Sequence, residues 1–306
     1  MTLKSTLPAP VLRTQPITNG MSVDVEDYFQ VSAFEKHVEH AAWDRYECRV
    51  ERNVERILAL FEQADVKATF FTLGWVAKRY PRMVGRIVDA GHELASHGWE
   101  HIRVTGQRPE EFRDDIRRTK DLLEDLGGVP VRGYRAASYS IGRDNLWALD
   151  ELRDAGYRYS SSIFPINHDL YGMSEAPRFP FHPLPADDFV EIPVTTVNAL
   201  GKQWPAGGGG WFRFFPYALS RWAIRRVNQQ EGMPGVFYFH PWEIDPRQPR
   251  IEGISRKAKF RHYLHLEQME SRLKRLLGDL KWDRMDRIFL PRDEASITLS
   301  ESGKTA

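Results

Sequence analysis

One cysteine, Cys48, stands among 306 residues, so no disulfide forms within the chain. A lone thiol of this kind is ordinarily a small buried or half-buried hydrophobe. No apolar run approaches the roughly 20 residues needed to span a bilayer. Residues 1–20 are polar and broken by prolines, without the apolar core of a secretion signal. These absences predict a cytoplasmic protein with a reduced thiol and no transmembrane segment. Charge of one sign is lacking too, since Lys and Arg total 43 against 42 Asp and Glu. That balance speaks against a nucleic-acid partner and against disorder. The one glycine tract, Gly207 to Gly210, is not followed by Gly-Lys-Ser/Thr, so it is no phosphate loop. With Trp211, Phe212 and Phe214 behind it, the tract reads as a mobile aromatic loop near a site, or else as a surface linker.

What is present is an ordinary globular composition, 42% hydrophobic and 28% charged. Short apolar runs predict strands at 21–25, 67–73, 93–96, 131–135, 157–163, 190–197 and 235–240. Between them, helical periods run over 54–61, 76–90 despite Pro81, 109–126 and 144–155, and one long basic helix over 255–280. Strand and helix alternate, which predicts an α/β fold with a parallel sheet. At this length the sheet is expected to close, or nearly close, into a barrel. Chemistry in such barrels sits at the C-terminal ends of strands. Asp24, His97, Arg135 and His240 all fall at such ends.

The stretch Ser96-His97-Gly98-Trp99-Glu100-His101 places two histidines at i and i+4, which on a helical turn share one face. Neutral imidazole is the commonest metal ligand. Ser22-Val23-Asp24-Val25-Glu26-Asp27 packs three acids into four positions. Such a cluster is either an exposed strand end or a metal carboxylate beside a second carboxylate that acts as a base. Two imidazoles and one carboxylate with open positions form the ligand set of a hydrolytic zinc-type site. There a divalent ion acidifies its water, and a separate carboxylate takes the proton. Arg135 would hold such a base ionised, unless it is a surface arginine. His240, ending an apolar strand, reads as a general acid or as a buried histidine satisfied by backbone. Trp99, Trp211 and Trp242 offer rings for the apolar face of a pyranose, or core packing.

Five motifs occur in order: SVDVED, SHGWEH, RGYRAASYSI, AGYRYSSSIFP and FYFHPWE. In this set the chain resembles the polysaccharide deacetylases of the NodB-homology type, carbohydrate esterase family 4. It looks most like the branch associated with bacterial exopolysaccharide loci. The resemblance covers about residues 21–251 and implies a distorted parallel (β/α) barrel with fewer than eight full units. Flexible segments would flank it at 1–20 and 294–306, and a C-terminal helical extension at 252–293 would pack on it. The resemblance implies Asp24 as general base, His97 and His101 as metal ligands, Arg135 as the base's partner and His240 as general acid. The third ligand stays open between Glu26, which shares a strand face with Asp24, and Asp27. Backbone N–H groups near residues 136–139, Tyr139 among them, would bind the substrate oxyanion. Two positions depart from the family pattern: Ala137 replaces a usual proline, and Ser160 a common aspartate that would tune the histidine acid.

The implied activity is metal-dependent hydrolysis of a linear amide, removing N-acetyl groups from amino sugars of an exopolysaccharide or its precursor. One divalent ion, zinc first among candidates, and a saccharide substrate follow, with contact to an exopolysaccharide synthesis complex. Two other readings fit the same residues: an amidase of the same fold acting on a non-sugar or cyclic amide, and a non-catalytic carbohydrate-binding component of an export machine.

Overall fold

The computed structural model describes residues 16–168, 171–184 and 187–291. The expected tail at 294–306, and all but the last residues of the expected N-terminal segment, lie outside that description.

The centre of the molecule is β1 (Thr18–Val25), which begins inside the segment expected to be flexible. Its side chains alternate with period two. Met21, Val23 and Val25 join the main apolar core, whereas Ser22 and Asp24 face the opposite way and hydrogen-bond to Arg135. Around β1 stand β2 (Thr69–Thr72), β3 (Glu93–Ser96), β4 (Gly133–Tyr134), β5 (Tyr159–Ser160) and β6 (Val190–Glu191), paired in that order. The strand ending at Phe239 (Val236–Phe239) and a short strand at Lys281–Asp283 also pair with β1. Every pairing in this eight-stranded sheet is parallel. The sheet curls into the expected distorted (β/α) barrel.

Helices cover the outside. Val50, Val54, Ile57 and Phe61 form the buried stripe of α1 (Val50–Gln63) at helical spacing. The period over 76–90 is two helices, α2 (Gly74–Arg79) and α3 (Pro81–Asp89), because Pro81 lacks the N–H that would continue the first. Next come α4 (Pro109–Gly127), closed by left-handed Gly128, and α5 (Trp147–Asp154). Residues 190–197 do not make one strand. After β6 the chain breaks into an antiparallel hairpin, β7 (Thr196–Ala199) and β8 (Lys202–Pro205). Leu200 and Gly201 at its tip both have positive φ, the geometry of a tight two-residue turn. Then come α6 (Gly209–Phe214), α7 (Tyr217–Gln230) and the strand at Val236–Phe239, now β9.

The expected long basic helix is likewise two, α8 (Arg256–Tyr263) and α9 (Leu266–Asp279), broken where His265 takes a left-handed φ of 51°. The segment beyond 252 is not helix alone. It gives the sheet its last strand, β10 (Lys281–Asp283), and a short helix α10 (Met285–Phe289). Met285 packs there with Phe71, Tyr159 and Val236 inside the curl of the sheet. Among the described residues no helix is long and apolar enough to cross a membrane.

Candidate metal centre

Glu26 follows the last residue of β1, and its N–H turns back onto the carbonyl of Asp24 at 3.0 Å. His97 follows the last residue of β3, its N–H still bonded to Thr72 of β2. The histidine pair is not on a helix, contrary to the sequence expectation. Residues 97–101 form a loop with left-handed φ at Gly98 (76°) and His101 (55°), and the loop brings the two imidazole centroids to 5.2 Å. A Cβ at position 98 would sit 3.0 Å from Asp115 Oδ2, the carboxylate whose other oxygen accepts the Trp99 N–H.

Glu26, His97 and His101 are buried, and one donor atom from each lies within 4.8 Å of the others. His97 Nδ1 donates to the Arg135 carbonyl at 2.8 Å, which fixes the tautomer and leaves Nε2 its lone pair. Burial pushes His97 down to about 4, so the ring is neutral. Burial works against ionised Glu26, but His101 and then His240 outweigh it and hold the carboxyl at about 2. Glu26 Oε1 accepts from Trp242 Nε1 at 3.2 Å. Oε2 lies 2.9 Å from His101 Nε2 yet accepts no well-aligned hydrogen bond, although it is buried. A buried carboxylate oxygen without a well-aligned donor, in one cluster with the free Nε2 lone pair of neutral His97, fits a divalent cation.

Asp24 borders this triad. Its Oδ1 receives Arg135 Nη1 at 2.5 Å, and its Oδ2 stands 3.5 Å from the Tyr139 hydroxyl and 4.0 Å from His240 Nε2. Arg135 is fully buried. It also donates to Ser22 Oγ, to the Ser161 carbonyl and to Ser161 Oγ, lies 4.0 Å over the Phe71 ring, and has Met285 Sδ at 3.7 Å from Nη2. His240 Nδ1 is 2.8 Å from Glu243 Oε1, and Arg213 holds the other oxygen of Glu243 at 2.6 Å. Burial alone would lower His240, but Glu26 and then Glu243 raise it to about 9. Asp24, Glu26, His97, His101, Tyr139 and His240 all line one cleft of about 520 Å³.

Other expected residues lie elsewhere. Asp27 is turned away from the triad: its oxygens accept the N–H groups of Tyr28, Arg49 and Val50, tying down the start of α1. Trp99 packs over Gly74 beneath the Arg118 guanidinium and does not line the cleft. Trp211 stacks on Phe215 and is not part of the lining either. Trp242 does line it, but its ring is stacked between the imidazoles of His240 and His262, so neither face is open to a sugar. Tyr139 faces the cleft through its hydroxyl, while its N–H is bonded to the Ala136 carbonyl at 3.0 Å and the Ala136 N–H to Ser162 Oγ. Neither amide is open to an oxyanion. Ser138 and Tyr139 share left-handed φ values of 50° and 52°, a strained pair beside the site.

The glycine tract packs on the barrel: a Cβ at Gly207 would meet the Val236 carbonyl of β9 at 2.2 Å, one at Gly209 would meet Glu243 Oε1 at 2.2 Å, and Gly209 and Gly210 open α6. Ser160 bonds to Ser162 Oγ, not to the histidine acid. A carboxylate does stand beside it: Glu191, paired with Ser160 across β5 and β6, accepts the N–H groups of Ser162 and Ile163 at 2.8 Å each. Sequence reasoning missed Glu191, Glu243 and Arg213. Their signal was present, an ionisable residue amid apolar neighbours in FVEIP, FHPWE and WFRFF.

A family model described as polysaccharide deacetylase matches residues 37–160, and a domain of unknown function, DUF3473, matches residues 161–290. Asp24 and Glu26 precede both matches, His97, His101 and Arg135 lie in the first, and His240 lies in the second. A peptidoglycan-N-acetylglucosamine deacetylase of Bacillus cereus is 33% identical over 97 residues, 31% of this chain and 35% of that protein. A peptidoglycan deacetylase of Helicobacter pylori is 31% identical over 113 residues, 37% of this chain and 38% of that protein. The chain thus spans little more than a third of the length of these curated relatives. A solved structure from Mycobacterium smegmatis, itself assigned provisionally to the polysaccharide deacetylases, shares the fold. It aligns with a TM-score of 0.61 at 19% identity, over 98% of this chain and 96% of that one.

Proposed function

We propose that the chain is a polysaccharide deacetylase of the NodB-homology type, a reading supported by the family model that matches residues 37–160, and that it hydrolyses N-acetyl groups on the amino sugars of a bacterial exopolysaccharide or its precursor. One observation carries this reading. The Asp24 carboxylate is clamped by Arg135 through one oxygen, and its other oxygen stands in the cleft between the Glu26–His97–His101 triad and His240. A binding protein needs no such base and acid on either side of a ligand set.

Glu26, His97 and His101 would hold one divalent ion, zinc by the nature of the donors, which when bound polarises the acetamide carbonyl and acidifies water. Asp24 takes the proton of the attacking water at Oδ2 as the water oxygen bonds to the carbonyl carbon. Arg135 keeps Asp24 ionised and aimed for that step. As the C–N bond breaks, protonated His240 gives its Nε2 proton to the departing nitrogen. Acetate and a free amino sugar leave. A histidine raised to about 9 is charged at neutral pH and ready to act as the acid. Glu243 fixes its orientation through Nδ1–H.

The test is acetate release from N-acetylhexosamine oligomers by the purified chain, with and without chelator and re-added zinc. Release that stops with chelator, returns with zinc and is lost in His97→Ala supports the proposal. Saccharide binding without turnover under any divalent ion would sink it.

A further inference from the structure

Seven large apolar side chains are exposed among the described residues, and six of them belong to two segments. Leu200, Trp204, Phe214, Leu219 and Trp222 lie in the stretch 192–230, and Phe260 lies in 253–266. Neither stretch contains a single Asp or Glu, although Asp and Glu number 42 in the chain. The first carries five Lys or Arg residues. Lys202, Arg225, Arg226, Arg256 and Lys259 make no ion pair with a described residue, whereas Arg221 is bridged to Asp279.

These side chains fall into two clusters, joined through the step from α6 to α7. The Leu200 tip of the hairpin borders a shallow recess shared with Arg226 of α7, and the Arg226 guanidinium lies 5.6 Å from the Trp222 ring. Leu219 is one turn from Trp222 on the same helix. Phe214 of α6 meets Phe260 of α8 at 6.4 Å between centroids. The face adjoins the cleft, because α6 and α8, which carry Phe214 and Phe260, also give it Gly210, Arg213 and Ala258 as lining.

We propose that this face docks on the headgroup layer of an anionic lipid bilayer, with the cleft mouth turned toward the membrane. Leu200, 95% exposed at a turn, is left to solvent by the rest of the chain and would enter the acyl boundary. Tryptophan and phenylalanine favour the interfacial layer. Unpaired lysine and arginine without neighbouring acids complement anionic headgroups, whose potential attracts them within a Debye length. Leucines offer nothing to a sugar ring, which sets a membrane ahead of an extended polysaccharide track. Docking of this kind would present the site to lipid-linked saccharides. The inference does not rest on the hydrolytic reading.

The experiment is co-sedimentation of the full chain with vesicles of phosphatidylcholine alone or with phosphatidylglycerol added. Binding is expected to the anionic vesicles only, with release by salt at ~0.5 M. Leu200→Ser with Trp222→Ser, and separately Arg225→Gln with Arg256→Gln and Lys259→Gln, should each cut the bound fraction about tenfold while keeping the parent melting curve. If either combination fails to fold, Leu200→Ser alone serves, read by a lost blue shift of tryptophan emission on mixing with vesicles. No sedimentation with anionic vesicles, equal sedimentation with both kinds, unchanged binding in the folded variants, or a variant-sensitive dimer in place of vesicle binding each overturns the proposal. Acetate release from a water-soluble oligomer, unchanged in these variants, separates failure of docking from failure of the hydrolytic reading.

Discussion

The two ends of the sheet each bury a cluster of ionisable side chains, and they treat them in opposite ways. At the start of β2 and β3, Glu93 Oε2 accepts from Thr69 Oγ1 and the Asp286 N–H, Oε1 accepts the Tyr159 hydroxyl, and Asp286 is bridged to Arg284. Burial, with Asp286 beside it, pushes Glu93 above the usual carboxylate range, yet neither oxygen is left without a donor. At the other end of the sheet, just past β1, Glu26 keeps a buried oxygen with no hydrogen bond, and the cluster opens onto a cleft. A closed network of buried polar groups holds a fold together, whereas an open one awaits a ligand.

Substitutions sharpen that contrast. The largest effect is expected at the open end, where Asp24→Asn should lower kcat about 10²–10⁴-fold, measured by acetate release, and should also cost about 3–5 kcal/mol by urea unfolding because it strands the buried Arg135 charge. A stability loss in place of the activity loss would show that the open cluster is structural after all. Arg135→Gln should cost stability as well, about 3–5 kcal/mol by urea unfolding, because it strands the buried Asp24 charge. At the closed end, Glu93→Ala should cost about 2–3 kcal/mol for its three lost donors and leave acetate release near the parent rate. Glu243→Gln removes one of the groups that raise His240, so the alkaline limb of the kcat/KM profile, near pH 9 in the parent, should move to lower pH. The smallest effect is a slope. Burial raises Glu191 to about 7 in the folded chain from an ordinary 4.5, so its stabilising contribution is complete below pH 4.5 and is lost as pH rises through 7. Glu191→Gln should flatten the pH dependence of the melting temperature across that window.

Much of the open end was legible in the sequence because each of its groups sits at the end of a predicted strand, where a barrel puts its chemistry. Asp24, His97, Arg135 and His240 needed only the strand assignments to be brought together. The choice between Glu26 and Asp27 was not legible, since it depends on where β1 stops and on α1 claiming Asp27 for its own first N–H groups. The tryptophans misled for a related reason: an aromatic beside a motif residue gives no sign of which neighbour covers its face. The partners of Arg135 were the hardest to read. Ser22, Ser161 and Met285 are separated from it by up to 150 residues, and no local pattern links them.

That last contact bears on how the protein comes into being. Met285 and the strand before it are close to the final described stretch of chain to leave the ribosome, and they complete the wall behind Arg135. The earlier barrel segments, Arg135 itself among them, emerge long before Met285 is made. The wall behind the arginine is therefore completed late, and a ribosome that stops at about residue 280 releases a nearly whole barrel whose Arg135 keeps its bonds to Asp24, Ser22 and Ser161 but lacks the Met285 contact.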